Sequence, residues 1–335
     1  MSIKDIGEFG IISRLANSCA MPLPEGFTGI GDDCAIIPGP GDLEYAISTD
    51  LLVEGVHFVT KETPGLQLGV KSLAVNLSDL AAAGAQPCGA FLSLALPENT
   101  DIDFIDQFAK GFNTMASRYD CPLLGGDTTR SMSGIVINIC VIGSRSKGIN
   151  TSRANSQPGD VICVTGCLGD SGAGLEYILN PDLSRDSTAL KLIERHNTPT
   201  PRIKEGQLLA KSKYVHSMMD ISDGIASDIK HITKRSNVSA EIELEKLPFG
   251  DLLQEKYGSQ PSQMYHYALH GGEDYELLLT VDSRHFADLN AEYKKHFGTS
   301  LHAVGRITTG DTERVNYIEN GFGTTPLGSP WAHFC

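Results

Sequence analysis

Residues Val75–Gly84 read VNLSDLAAAG, and all but three of them suit the inside of a packed helix. The exceptions are Asn76, Ser78 and Asp79. Asp is a poor residue for a helix interior, and a buried carboxylate without a partner is costly. Small side chains at Ala81, Ala82, Ala83 and Gly84 permit close helix packing. Asn76 and Asp79, three apart, share one face. The chain must therefore fold around a helix over residues 67–84 that carries a polar face, and something on that face must compensate a charge.

The flanking patterns alternate between strand and helix, which predicts a mixed α/β (α+β) protein. Phe9, Ile12, Leu15 and Ala16 recur at helical spacing near the start. GIGDDCAIIPGP reads as a turn, a strand over 34–37 and another turn, and EYAISTD reads as a strand that ends on Asp50. CGAFLSLALP is a further strand, and DIDFIDQFAKGFNTMASRY, with carboxylates in its first turn, is a helix. PLLGGDTTRS reads as a short strand into a tight turn, and GIVINICVIG as a strand. The polar segment INTSRANSQPG lacks apolar periodicity and predicts a boundary between two domains, 1–149 and 150–335. Beyond it come the strand VICVTG, a glycine-rich turn with a helix, the Pro-containing RHNTPTPR, and a strand entering DISDG. The helix IASDIKHITKR, the strand AEIEL and the turn plus strand GGEDYELLLTV follow. Asn76–Asp79 and Asp220–Asp223 echo one another as polar, aliphatic, Ser, Asp, which suggests a duplication without establishing one.

The phosphate-binding loops that rely on lysine are absent: there is no GxxxxGK[ST] and no HRD or DFG. GCLGDSG lies between a strand and a helix, but it is not GxGxxG and reads as a plain connecting turn. What recurs is aspartate beside Gly or a hydroxyl residue: Asp32 and Asp33 in GIGDDCA, Asp50 in ISTD, Asp79 in NLSD, Asp127 in GGDTTRS, Asp220 and Asp223 in DISDG. Taken singly, each is ordinary in a turn or at a helix cap. Gathered in one place, they would repel unless protonated or bridged by cations. Such hard oxygen ligands suit Mg2+, which shares its shell with water and substrate phosphate. The pattern thus points to phosphoryl transfer or a related ATP-dependent step.

A formal charge of −14 argues against a nucleic-acid partner. No apolar run approaches the ~18 residues that span a membrane, and the N-terminus lacks a signal-peptide core, so a cytoplasmic protein is expected. The eight cysteines form no CxxC pair and are expected to be reduced, buried thiols.

In order and combination, GEFGII, GIGDDCA, ISTDLLVEGVHF, KSLAVNLSDLAAAGAQP, GGDTTRS, QPGDVICVTG, DISDGIASDIKHI, GGEDYEL and the terminal WAHF resemble the thiamine-monophosphate kinase family. That family is part of the superfamily of aminoimidazole ribonucleotide synthetase. The resemblance implies a two-domain fold, with an N-terminal α/β domain pairing across a homodimer and a C-terminal α+β domain. It also implies transfer of the ATP γ-phosphoryl group to thiamine phosphate, direct and in line, with several Mg2+ ions between the two phosphate groups. Matched by motif, Asp33, Ser48, Thr49, Asp50, Asp79, Asp127, Asp220 and Asp223 correspond to metal-site positions, with the division of labour between Asp32 and Asp33 open. Tyr119, Gly126, Asp127, Arg153 and Ser222 correspond to nucleotide-contacting positions, and His57, Glu273 and Trp331 to substrate-side ones. No covalent nucleophile is implied. Another ATP-dependent synthetase of the superfamily, or a non-catalytic metal- or nucleotide-binding protein, remains the alternative.

Overall fold

The computed structural model describes residues 2–19, 21–311 and 313–326. A helix α1 (Ile3–Ser18) precedes a five-stranded sheet. Its strands are β1 (Ala35–Pro38), β2 (Leu43–Val53), β3 (Gln86–Leu96), β4 (Leu123–Arg130) and β5 (Val136–Ser146). Between them run α2 (Gly65–Ala82) and α3 (Ile102–Arg118). The strand order is β1-β2-β5-β3-β4, and only the β3–β4 pair is parallel.

The remaining elements start with β6 (Val161–Val164), α4 (Asp170–Leu179), α5 (Ser187–Asn197), α6 (Ile203–Ala210) and β7 (Val215–Asp220). They continue with α7 (Ile225–Ser236), β8 (Ser239–Glu243), α8 (Asp251–Tyr257), α9 (Pro261–His270) and β9 (Leu277–Val281). Last come α10 (Phe286–Phe297), β10 (His302–Thr308), β11 (Val315–Glu319) and β12 (Phe322–Thr324). Their strands form a seven-stranded sheet in the order β12-β11-β8-β10-β6-β9-β7.

Helix α2 ties the two sheets together. It is buried along almost its whole length, including the polar Lys71, Ser72, Asn76 and Ser78. One core runs without a break from β2, β5, α2 and α3 to β7, β9 and α10. The small residues at the end of α2 do permit a close approach, and it is made by α6. A Cβ on Gly206 would lie 2.1 Å from the Ala81 carbonyl oxygen, so glycine is required there.

Three local expectations change. β2 does not end at Asp50, because its antiparallel pairing with β5 continues to Val53 opposite Val136. Asp50 therefore lies inside a strand. GGDTTR is strand, not turn, because β4 pairs with β3 from Leu123 through Arg130. Among the described cysteines all are free, but Cys19, Cys88 and Cys167 are exposed.

Candidate active site

The pleat of β2 sends Ser48 and Asp50 toward α2 and Thr49 to the other face of the sheet. The Ser48 hydroxyl donates to Asp79 Oδ2. Asn76 Oδ1, one helical turn before Asp79, accepts the Asp50 backbone N–H at 3.1 Å. The polar face of α2 is thus stitched to the middle of β2. Thr49 instead donates to the Ile139 carbonyl oxygen and accepts from Asn138 Nδ2.

Two further segments converge on that seam. The turn after Ile30 brings Asp33, and the end of β7 brings Asp220. One carboxylate oxygen from each of Asp33, Asp79 and Asp220 lies within 4.8 Å of the others. Burial raises the Asp79 pKa well above the usual carboxylate range, and the charges of Asp50, Asp220 and Asp33 raise it further. Asp220 is raised in the same way, by burial and then by Asp33. Asp50 is pushed up to about 6, by burial and by Asp33. These carboxylates are a donor set of hard oxygens placed for cations.

Asp32 and Asp33 divide the work between them. Asp32 faces the segment that joins the two sheets, accepting from Ser152 Oγ at 2.9 Å and from the Arg153 backbone N–H at 2.8 Å. Asp33 faces the cluster, and the Arg153 guanidinium donates to its Oδ1 at 2.6 Å. Asp32 thus anchors the backbone whose side chain reaches Asp33.

The Ser-Asp echo does not superpose in function. The cluster takes the last residue of the first stretch, Asp79, and the first residue of the second, Asp220. Asp223 lies beside Asp228 and His231, close enough for one ligand atom of each to share an ion. Its own N–H donates to Asp228 Oδ2 at 3.3 Å. Asp228 is buried and escaped sequence reasoning, being hidden in the first turn of α7 as an ordinary helix-start acid.

A cavity of about 590 Å3 opens from the cluster, lined by Asp50, Asp79, Asp220, Ser222 and Asp223, and also by His57, His196 and Glu273. His57 Nδ1 accepts the Val53 N–H at 3.0 Å. Glu273 meets Lys71 Nζ at 2.6 Å. Burial works against the charge of Glu273, yet Lys71, with His196 behind it, holds its carboxyl below the ordinary range. Burial and the Lys71 charge push His196 down to about 4, so the ring is neutral. Lys71 and His196 were not singled out in the sequence.

A single chain does not bring every matched residue to this place. Asp127 lies in β4, which is exposed throughout. It stands opposite Ser93, in the row that runs through Asn138 to Leu51 of β2. That row belongs to the face that Thr49 shares, away from Asp50, and three strand spacings separate β4 from β2, about 14 Å. Gly126 has φ 155°, and a Cβ there would meet the Leu92 carbonyl at 1.7 Å, which only glycine avoids. Tyr119 caps α3, and its hydroxyl donates to the Pro201 carbonyl at 3.0 Å. Trp331 lies outside the described residues.

Residues 31–144 and 157–318 match the AIR synthase related protein family, N-terminal and C-terminal domain respectively. Two α/β units with an oxygen-donor cluster at their junction are therefore those of an AIR synthase related protein. Within that class the chain belongs to the thiamine-monophosphate kinase family. It is 39% identical over 329 residues to thiamine-monophosphate kinase of Escherichia coli (strain K12), covering 98% of each chain. It is 37% identical to that of Aquifex aeolicus (strain VF5), covering 100% of both. Among solved structures, AaThiL complexed with AMPPCP and TMP is similar at a TM-score of 0.82 and 33% identity, covering 100% of this chain and 99% of that one. Thiamine-monophosphate kinase from Stenotrophomonas maltophilia K279a is similar at 0.76 and 34%, covering 95% and 98%.

Proposed function

We infer that the chain is a thiamine-monophosphate kinase that moves the γ-phosphoryl group of ATP onto thiamine phosphate, giving thiamine diphosphate and ADP. The observation that carries this reading is the meeting of Asp33, Asp79 and Asp220 in one cluster, of which Asp79 and Asp220 line a cavity shared with His57 and Glu273. The relatives named thiamine-monophosphate kinase, and the similar structure holding AMPPCP and TMP, support the same substrates.

Mg2+ fits the donor set, and Asp33, Asp50, Asp79 and Asp220, with Asp223 nearby, would hold it; bound there, it would neutralise phosphate charge during transfer. The chain's own groups orient that set. Ser48 fixes Asp79, Asn76 fixes the backbone of Asp50, and Arg153 offers a guanidinium to phosphate oxygens as well as to Asp33. No general base is required, because the acceptor phosphate is already ionised at neutral pH.

The domains are taken as 1–149 and 150–335, and the working unit as a cytoplasmic homodimer. The exposed edge strand β4 and the outward-facing Leu51 and Phe91 support a second copy covering this face. Such pairing would give Asp127, Gly126 and Thr49 a route to a site that Asp127 does not reach within one chain. No described helix is long and apolar enough to cross a membrane.

Purified protein given ATP, Mg2+ and thiamine phosphate is expected to form thiamine diphosphate and ADP in equal amounts. ADP without thiamine diphosphate would overturn the assignment in favour of another ATP-dependent step.

A further inference from the structure

Lys71 is a lysine placed where lysines almost never lie: its side chain has 0% exposure, inside α2. A buried ammonium is tolerated only when all its hydrogens have partners. Lys71 Nζ has three, and they come from three separate parts of the chain. They are Glu273 Oε2 at 2.6 Å, His196 Nε2 at 3.0 Å and the His57 carbonyl oxygen at 3.4 Å. With three hydrogens and three acceptors, the ammonium has nothing left to offer a substrate. Its three partners' residues all line the cavity, whereas Lys71 itself does not.

Glu273 is held as tightly through its backbone. It has φ +54°, a left-handed conformation that is uncommon for a residue with a side chain. Its N–H donates to the Ser222 carbonyl at 2.7 Å, and two residues on, the Tyr275 N–H donates to the Ile221 carbonyl at 2.9 Å. Its Oε2 is taken by Lys71, while Oε1 accepts no hydrogen bond among the described residues. One oxygen is thus fixed by the protein, and the other remains available to the cavity. His196 closes the arrangement from behind, with its Nδ1 3.1 Å from the Ser171 hydroxyl.

We propose that Lys71 is a positioning residue for substrate recognition: it fixes Glu273 Oε2 so that Oε1 faces the heterocyclic half of thiamine phosphate as a preorganised acceptor. The proposal rests on the kinase reading above and deepens it. The heterocyclic half carries a thiazolium cation and an exocyclic amine, and both favour a fixed carboxylate. Without Lys71, the half-buried Glu273 carboxylate would protonate or turn away, and either outcome weakens its attraction for that half. Asp79, the phosphate-side carboxylate on α2, lies two helical turns away and keeps its own partner, Ser48.

The test is a steady-state comparison of Lys71→Met, Glu273→Gln and the double variant with wild type, using ATP, Mg2+ and varied thiamine phosphate, with thiamine phosphate affinity also measured by calorimetry. Lys71→Met is expected to raise KM for thiamine phosphate about tenfold or more, with KM for ATP and the saturated rate changing far less. The double variant, which removes both charges of the pair, is expected to match the worse single variant in KM, because the two groups act as one unit. It also guards against misfolding, since a neutral pair leaves no buried charge unmatched. Lys71→Arg, which keeps the charge, is expected to recover part of the affinity. An unchanged KM in Lys71→Met, additive losses in the double variant, or a fall in the saturated rate alone would overturn the proposal. Failure of the kinase reading would look different, as no thiamine diphosphate from the wild type.

Discussion

Two regions of one cavity handle charge in opposite ways. Around Asp79, burial and then the charges of neighbouring carboxylates raise the pKa values, Asp50 to about 6 and Asp79 and Asp220 beyond the usual range. Around Lys71, every charge already has a counter-charge, and Glu273 is lowered. The first region is electrostatically unfinished and calls for cations from outside. The second is complete within the chain and acts by holding a geometry. On the reading proposed above, a raised carboxylate pKa and a lowered one in the same cavity would mark different tasks, metal reception and substrate recognition.

The strongest way to break this contrast is to neutralise one carboxylate in each region. Asp79→Asn is expected to lower the rate of thiamine diphosphate formation by about 10^3-fold, as loss of transition-state charge stabilisation does. The same change should raise the melting temperature in EDTA, because it relieves repulsion. Glu273→Gln should do the reverse to stability, costing about 3 kcal/mol by leaving buried Lys71 unmatched, as read by denaturant unfolding. If both substitutions shift stability in one direction, the contrast fails.

The pH dependence sharpens it further. Asp50 has a folded pKa raised from 3.8 to about 6, so its contribution to stability is complete below pH 4 and is lost as pH rises through about 6. With EDTA present, stability should fall across that window by roughly 2–3 kcal/mol, and saturating Mg2+ should flatten the curve. A metal-free melting temperature that does not move between pH 4 and 7 would count against the electrostatic account. The smallest expected effect is Asp32→Asn, which weakens the anchor of the Arg153 backbone. It should cost about 1 kcal/mol and raise KM for ATP several-fold without changing KM for thiamine phosphate.

How much of this could be read in the residues depends on sequence distance. Alternating patterns located most strands and helices, because periodicity is local. The extension of β2 past Asp50 and of GGDTTR as strand depended on partners far along the chain, and no local signal carried them. Asp33, Asp79 and Asp220 were legible as misfits or turn acids, and they do meet. Asp127 was equally legible, but its place on the far face of the sheet follows from strand order. Asp32 and Asp33 are neighbours in sequence that look in opposite directions, a fact visible only once the joining segment is in position. Lys71 offered the same clue as Asp79, a charge within an apolar helix eight residues upstream, and it was overlooked because its partners lie 125 and 202 residues away.

Helix α2 carries Asp79 near one end and Lys71 two turns earlier, and its burial between the two sheets leaves it no freedom to bend or slide. Eight residues of helix rise fix those two points about 12 Å apart along the axis. The protein therefore contains a gauge of constant length. On the substrate reading proposed above, an analogue lengthened by one methylene between its ring and its phosphate is expected to bind more weakly, because α2 fixes the distance from Asp79 to the Lys71 that holds Glu273. Selectivity for molecular length would then rest on the backbone of α2 as well as on the side chains it carries.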